Sequence, residues 1–272
     1  MSTATAVTPR LSAAQVDDYR REGYLLYKQP VLPAHKFAGL KNYFEEMLSA
    51  WPSDKRPEGM DVPHFTHPAL FEWLFADEVL DLIEPILGPD IALFSSHFIC
   101  KPKGDGKRVP WHEDSAYWRD MVQPMEVCTL WLAIDPSTPA NGGMYVIPRT
   151  HGNGYSDYNP VDPAKNVFST EIKPEQRDDA KAVAMDLQPN ECSLHNGRLM
   201  HGSPANTSDI RRCGYTMRYI SAGTRFNREK HGHYHQIYLA RGKDRAGNTY
   251  GDPTTIAGGL MESRVKYGKK GH

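Results

Sequence analysis

Little in this sequence points outward to a macromolecular partner. Lys and Arg number 32 against 33 Asp and Glu, a formal net charge of −1. That balance gives no electrostatic reason to expect nucleic acid or an acidic membrane surface as a partner. No C-x-x-C pair occurs among the four cysteines, Cys100, Cys128, Cys192 and Cys213, which removes the common thiol metal and redox motifs. Cys100, Cys128 and Cys192 lie in apolar, strand-like runs where buried free thiols are expected. Such thiols suit a reducing cytoplasm. The N-terminal region joins no basic cluster to a long apolar run, so neither a secretory signal nor a membrane span is expected. There is no internal repeat. No long apolar helix suggests an acyl-chain tunnel.

What is present changes texture along the chain. Residues 1–10 are small and polar and read as disordered; residues 11–88 read as mostly helical. Ser12 can cap a helix with Gln15 three residues on, and Val16, Tyr19 and Arg20 follow at helical spacing before Gly23 stops it. Residues 24–27 read as a short strand. From Pro33 to Trp51, the residues Phe37, Leu40, Phe44, Met47 and Leu48 fall on one helical stripe. A Pro- and charge-rich loop at 52–66 is expected to border a site, and two short helices fill 67–87. From residue 91, apolar runs at 91–100, 126–134, 143–147, 182–187, 190–195, 198–202 and 213–221 alternate with turn-rich loops, as in a jelly roll. Residues 148–181 lack periodicity, and a loop of that length reads as a substrate rim. Residues 223–272 read as a flap or tail. The expectation is one domain over 1–272. Its fold class is mainly β with α: a double-stranded β-helix core at 89–222 with the N-terminal helices packed on one side.

The chemistry gathers at Trp111-His112-Glu113-Asp114-Ser115. Residues two apart on a strand share a face, so His112 and Asp114 can meet on one metal ion with Glu113 turned away. Alone the pair is weak evidence, since most His-x-Asp pairs are surface or hydrogen-bonded residues. His201, in Leu199-Met200-His201-Gly202-Ser203, adds a second imidazole. Two His and one carboxylate form the facial triad that leaves positions open on Fe(II). Arg212 follows eleven residues after His201. If the chain turns over 202–208 and returns antiparallel, its guanidinium comes back beside the metal and can grip a carboxylate bidentately. A 2-oxo acid that chelates iron and carries a distal carboxylate fits this geometry, and 2-oxoglutarate is such a molecule. A buried hydrogen-bonded cluster would account for the triad but leave Arg212 unexplained.

With the run from Asn141 through Gly142-Gly143-Met144-Tyr145-Val146-Ile147-Pro148-Arg149-Thr150 to His151, these motifs resemble the phytanoyl-CoA dioxygenase family, which includes ectoine hydroxylase. The resemblance runs from about Leu11 to Ile220. It implies a jelly roll that uses Fe(II), 2-oxoglutarate and O2 and releases succinate and CO2. It implies His112, Asp114 and His201 as metal ligands and Arg212 on the distal carboxylate, assisted by Ser203. His97 and Trp131 fall at further cosubstrate contacts, His97 being a departure from the Gln or Met of relatives. Asp114 also implies hydroxylation, with desaturation or epimerisation as alternatives, and not halogenation, since related halogenases carry a small residue there.

The substrate is expected to be a small polar metabolite: an amino acid, a quaternary amine or an organophosphonate such as a 2-aminoethylphosphonate. Tyr117 and Trp118 follow the motif in a loop and are candidates to line its pocket, with core packing as the plainer alternative. Asn196 and Arg198 are further candidates, as are Lys101, on the face of His97, and Arg218, on the face of Arg212, where a structural salt bridge is the alternative. His195 rivals His201 but better suits a supporting or substrate role. Arg211, facing away from Arg212, reads as solvated. The tract His231–His235 looks metal-like by composition but has no carboxylate or Cys beside it and reads as a solvated loop. Two other function classes stay open. One is a cupin-like hydrolase or isomerase using Zn(II) or Mn(II); the other is a non-catalytic jelly-roll binding module. The sequence does not specify the oligomeric state.

Overall fold

A computed structural model of the protein describes residues 10–229 and 235–257. The stretch 1–9, read as disordered, lies outside these residues, as do His231 and His233. Helix α1 (Ala13–Glu22) opens with a capping box, in which Gln15 N–H donates to Ser12 Oγ and Ser12 N–H to Gln15 Oε1. Gly23 ends it at φ +83°, a left-handed conformation that glycine adopts without penalty. Strand β1 (Tyr24–Tyr27) and helix α2 (Ala34–Ser49) follow, the helix burying Leu40, Phe44 and Met47. Strand β2 (Met60–Asp61) and helices α3 (Phe71–Leu74) and α4 (Asp77–Leu87) complete this half.

Beyond residue 90 the regular elements are mostly strands, joined by loops and short 3-10 turns. In order come β3 (Ile91–Lys101), β4 (Val109–His112), the single helical turn α5 (Ser115–Trp118), β5 (Val122–Gln123), β6 (Val127–Ala133) and β7 (Tyr145–Val146). Then follow β8 (Tyr158–Pro160), β9 (Thr170–Ile172), β10 (Val183–Ala184), β11 (Cys192–Asn196), β12 (His201–Ser203), β13 (Arg212–Ser221), β14 (Arg225–Phe226) and β15 (Tyr238–Arg241).

Two antiparallel sheets carry the site. The larger runs β1-β11-β6-β13-β3-β15, with β2 also on β3; the smaller runs β10-β7-β12-β4. Their inner faces meet, since Arg218 of β13 reaches Asp114 just past β4 and Arg212 reaches Ser203 of β12. This is the double-stranded β-helix that the alternating runs and turns predict.

Parity along β13 divides structure from chemistry. Every residue from Arg212 to Ile220 is buried. Cys213, Tyr215, Met217 and Tyr219 join the core shared with Leu40, Phe44 and Val79 of the helices. The Tyr215 ring stacks on Phe98 at 3.9 Å, and Phe98 meets Phe44 at 4.8 Å. Each large apolar side chain so buried contributes roughly 1.5–3 kcal/mol. Arg212, Gly214, Thr216 and Arg218 alternate with them and so turn to the inner face, which is lined by groups that can bind and react.

Three regions differ from the sequence reading. Residues 238–241, expected in a flap or tail, pair with Leu93, Ala92 and Ile91 as an edge strand. Tyr238 seals that edge against His64 and Phe71; four residues are too few to show a period. His235, read as part of a solvated tract, is buried and donates from Nε2 to the Phe94 carbonyl at 2.7 Å. Arg211 is not solvated either. Its guanidinium donates to Asp135 at 2.7 Å and to Glu45 at 2.8 Å, tying β13 to α2. All four cysteines are buried and free. Among the described residues no helix is long and apolar enough to cross a membrane.

Candidate active site

Antiparallel pairing sets His112, the last residue of β4, directly opposite His201, the first of β12, with ring centroids 4.1 Å apart. Each ring is held by its own backbone. His112 Nδ1 lies 2.8 Å from the Pro110 carbonyl and His201 Nδ1 2.9 Å from that of Leu199. A carbonyl only accepts, so Nδ1 carries the proton in both rings and each Nε2 lone pair is left for a ligand. Asp114 completes the cluster by a route the i, i+2 spacing does not describe. It stands past the strand, at φ −55° and ψ −36°, so a helical turn rather than strand alternation brings its carboxylate round. One ligand atom from each of His112, Asp114 and His201 lies within 4.8 Å of the others, and all three residues are buried.

Charge is arranged to keep these donors ready. Burial opposes ionisation of Asp114, but the Arg218 guanidinium and the nearby imidazoles override it and hold the carboxyl well below the usual range. Arg218 Nε donates to Oδ2 at 3.1 Å and Nη2 to Oδ1 at 3.4 Å. Burial, with His201 beside it, pushes His112 down to about 3, and burial lowers His201 as well. Two neutral imidazoles and one carboxylate are the donor set of a facial Fe(II) site; the residues present fit that ion.

A second, cationic pocket lies two residues along β12. Arg212 Nη2 donates to Ser203 Oγ at 3.2 Å, and Nε and Nη2 donate to the Gly142 carbonyl at 3.1 and 2.8 Å. The guanidinium sits 5.4 Å from the Trp131 ring centroid. That ring is accommodated because residue 214 is glycine: a Cβ there would come within 1.9 Å of it. Lys101 stands opposite Arg212 in the β3–β13 register, and its Nζ lies 2.6 Å from the same Ser203 Oγ. His97, on the same face of β3, donates from Nε2 to the Glu58 carbonyl at 2.8 Å.

The other predicted contacts scatter. Tyr117 stays near the cluster, 6.3 Å from the His112 ring, with Phe168 packed against both at 5.6 and 4.8 Å. Trp118 packs on Phe94 at 4.9 Å and beneath Arg218 at 5.2 Å. Asn196 does not face the cluster, because its Oδ1 accepts the Arg198 N–H at 2.9 Å and closes a turn. Arg198 lies over Tyr155 at 5.6 Å, beside Arg119 at 3.8 Å over the same ring. Arg218, a predicted substrate contact, is instead occupied with Asp114. His195 points inward from β11, its ring 4.9 Å from that of His201 and both its nitrogens buried without a hydrogen-bond partner. Sequence reasoning missed Phe168, which lies in the aperiodic stretch 148–181 and carries no local signal. Glu113 is turned from the cluster as expected, accepting the Ser156 N–H at 2.8 Å.

A family model described as Phytanoyl-CoA dioxygenase (PhyH) matches residues 19–214. A probable alpha-ketoglutarate-dependent hypophosphite dioxygenase of Stutzerimonas stutzeri is 27% identical over 165 residues, 60% of this chain and 57% of that protein. The chain thus spans little more than half the length of that relative. An ectoine dioxygenase of Bordetella parapertussis is 24% identical over 247 residues, covering 82% of this chain and 79% of its own. Among solved structures, the apo non-heme monooxygenase ThoJ superposes with TM-score 0.73 at 20% identity, covering 94% of this chain and 96% of its own. EctD from S. alaskensis with 2-oxoglutarate and 5-hydroxyectoine gives 0.67 at 22%, covering 83% and 81%. At these identities the two structures speak for the fold.

Proposed function

The chain belongs to the phytanoyl-CoA dioxygenase family of Fe(II)/2-oxoglutarate-dependent dioxygenases, and on that premise we propose that it hydroxylates an unactivated C–H bond of a small polar metabolite. The substrate is an amino acid, a quaternary amine or an organophosphonate such as a 2-aminoethylphosphonate; O2 and 2-oxoglutarate are consumed, and succinate and CO2 leave. The observation that carries this reading is the convergence of His112, Asp114 and His201 within 4.8 Å, two residues along β12 from the Ser203–Arg212 pair. Bound iron supplies the O2 activation that no side chain can perform.

The chain's own groups bind, orient and exclude water. His112, Asp114 and His201 would hold the metal. Arg218 fixes the carboxylate that would otherwise rotate. Arg212 and Ser203 take the distal carboxylate of 2-oxoglutarate, and Trp131 and His97 wall its channel. Tyr117 and Phe168 form an apolar side over His112 that keeps bulk water away from the reacting centre. Relatives named for hypophosphite and for ectoine support a small polar substrate, and the buried free thiols support a cytoplasmic setting.

Adding 2-oxoglutarate to the anaerobic Fe(II) protein should produce a weak visible charge-transfer band. Its absence would turn the reading toward a metal hydrolase or isomerase. A screen of small amino acids, betaines and aminophosphonates for substrate-stimulated succinate release then identifies the substrate class. Asp114→Ala and His201→Ala should abolish that release; unchanged release would move the metal elsewhere.

A further inference from the structure

The inner face of the large sheet carries polar side chains that the other described residues leave unsatisfied. His195 of β11 stands opposite Thr129 of β6, Thr129 opposite Arg218 of β13, and Arg218 opposite Ser95 of β3. These four form one row across the sheet, all of them buried, with His195 at 1% exposure and Thr129 at 0%. The two halves of the row differ. Arg218 is committed, donating to both oxygens of Asp114 and from Nη1 to Ser95 Oγ at 3.3 Å. His195 has no hydrogen-bond partner on either ring nitrogen, and Thr129 has none on Oγ1. Directly opposed residues on antiparallel strands have Cβ atoms roughly 4.5–5.5 Å apart, yet these two side chains do not bond to each other.

An unpaired polar group inside a protein is costly. Two of them side by side, one with both nitrogens unmet, call for a partner from outside the chain. Their place says which molecule that is. The row lies level with the metal cluster, since the His195 ring centroid is 4.9 Å from that of His201 and Arg218 reaches Asp114. Arg212 is six residues away along β13, roughly 20 Å of strand, with the row of Ser193, Trp131, Thr216 and His97 between them. A cosubstrate that runs from the metal toward Arg212 therefore leaves His195 and Thr129 to the other small molecule. An imidazole donates from at least one nitrogen, and a threonine hydroxyl donates its one proton. Both can therefore direct a hydrogen at the same oxygen atom. A quaternary ammonium, with neither a lone pair nor an N–H, satisfies neither side chain.

We propose that His195 and Thr129 hold an oxygen atom of the primary substrate by two hydrogen bonds and so fix which of its carbon atoms faces the metal. This rests on the reading of the site as an oxygenase of a small polar metabolite and names the residues and the substrate group that the reading leaves open. His195 and Thr129 are binding and positioning residues. The group they take is a carboxylate, phosphonate or hydroxyl oxygen, so a quaternary amine enters with its oxygen-bearing end toward β11.

The test uses the full chain loaded with Mn(II) and 2-oxoglutarate and follows binding by calorimetry, without turnover. The probes are 2-aminoethylphosphonate, glycine and glycine betaine, with tetramethylammonium as the ligand that has no oxygen. At least one of the first three should bind the wild type, and tetramethylammonium should not. Thr129→Val, equal in shape but lacking the hydroxyl, and His195→Leu should each weaken that binding roughly 3–10-fold. Thr129→Ser and His195→Gln, which keep a donor, should restore most of it. Without ligand, Thr129→Val and His195→Leu should melt no lower than wild type, because each exchanges an unsatisfied polar group for an apolar one. Affinity for Mn(II) and for 2-oxoglutarate should not change. If His195→Leu does not fold, the two Thr129 variants carry the test. Unchanged binding of the probe in the variants overturns the proposal and leaves the oxygenase reading intact, as does tetramethylammonium binding as tightly as the best probe. A lower melting temperature in Thr129→Val also overturns it, since the hydroxyl then serves the protein's own interior. So does a loss of 2-oxoglutarate affinity, which would assign the pair to the cosubstrate. A wild type that binds none of the three oxygen-bearing probes removes the small-polar-substrate reading and the proposal together.

Discussion

Arg218 Nε lies 3.1 Å from Asp114 Oδ2, deep between the two sheets and 104 residues away in sequence. This contact joins the middle of β13 to the turn that carries the Asp114 carboxylate. Removing the guanidinium strands a buried negative charge beside two imidazoles. Arg218→Met should therefore lower the stability of the metal-free protein by roughly 3–5 kcal/mol, as breaking one side of a buried pair does. Metal affinity should fall about 10–100-fold, the usual consequence of losing the group that orients a ligand. Urea denaturation and competition against a chromophoric chelator measure the two effects. Unaltered metal affinity would mean that the helical turn alone positions Asp114.

Arg212→Ala removes the guanidinium from Ser203, Gly142 and the Trp131 face together. The Michaelis constant for 2-oxoglutarate should rise by roughly 10–150-fold, the equivalent of one lost charge-assisted anchor at about 1.5–3 kcal/mol. The turnover number at saturating cosubstrate should change far less, because the proposed role confines the group to the distal carboxylate. Steady-state succinate assays over a wide 2-oxoglutarate range separate the two parameters. A fall in turnover number at an unchanged Michaelis constant would place Arg212 at the substrate instead.

That His112, Asp114 and His201 come together was legible because their chemistry is carried by residue type and order, and a jelly roll returns distant strands to the same place. The path taken by Asp114 was not, since His-x-Asp reads identically on a strand or on a turn. Parity put Lys101 and His97 on one face, correctly, but could not say what stood across from it. That depends on the β3–β13 register, a pairing between segments far apart in sequence. On β13 both faces are buried, so the alternation of Arg212, Gly214, Thr216 and Arg218 with apolar residues shows only where a charge interrupts it. Phe168 and the edge strand Tyr238–Arg241 left no periodic trace, because tertiary contacts alone order them. Asn196 reads equally as a ligand or a turn residue; the turn won because its own Oδ1 lies within reach of the Arg198 amide.

Gly214 offers a test that no charge complicates. An added Cβ would lie 1.9 Å from Trp131 Cζ2 and 2.2 Å from Cε2, and these belong to a rigid indole, not to a flexible chain end. Gly214→Ala should cost roughly 1–3 kcal/mol through overpacking, visible as a lowered melting temperature. Because the displaced ring underlies Arg212, 2-oxoglutarate binding should weaken as well, while metal affinity stays close to wild type. Loss of metal together with cosubstrate would show that Trp131 supports the whole inner face.

The Lys101 ammonium predicts two pH slopes of opposite sign. Its pKa falls from an ordinary 10.5 to about 5 in the folded, ligand-free protein. Between those values the unfolded chain holds a proton at this position that the folded chain has given up. Stability therefore rises with pH across that window from this group, and the penalty is complete below about pH 5. With the distal carboxylate of 2-oxoglutarate at Ser203 and Arg212, as proposed, the preference should reverse, drawing a proton back onto the lysine in the company of Arg212, Glu58 and Arg108, the charged groups that act on it. Binding then takes up protons, and 2-oxoglutarate affinity should fall as pH rises from about 6 to 9, by up to roughly tenfold per unit. Calorimetry in buffers of different ionisation enthalpy reads the proton uptake directly, and chemical denaturation over the same range reads stability. Subtracting the same curves for Lys101→Met isolates the lysine from every other titrating group. Equal slopes in the two proteins, in either measurement, would mean that Lys101 keeps one charge state whether or not the carboxylate is present.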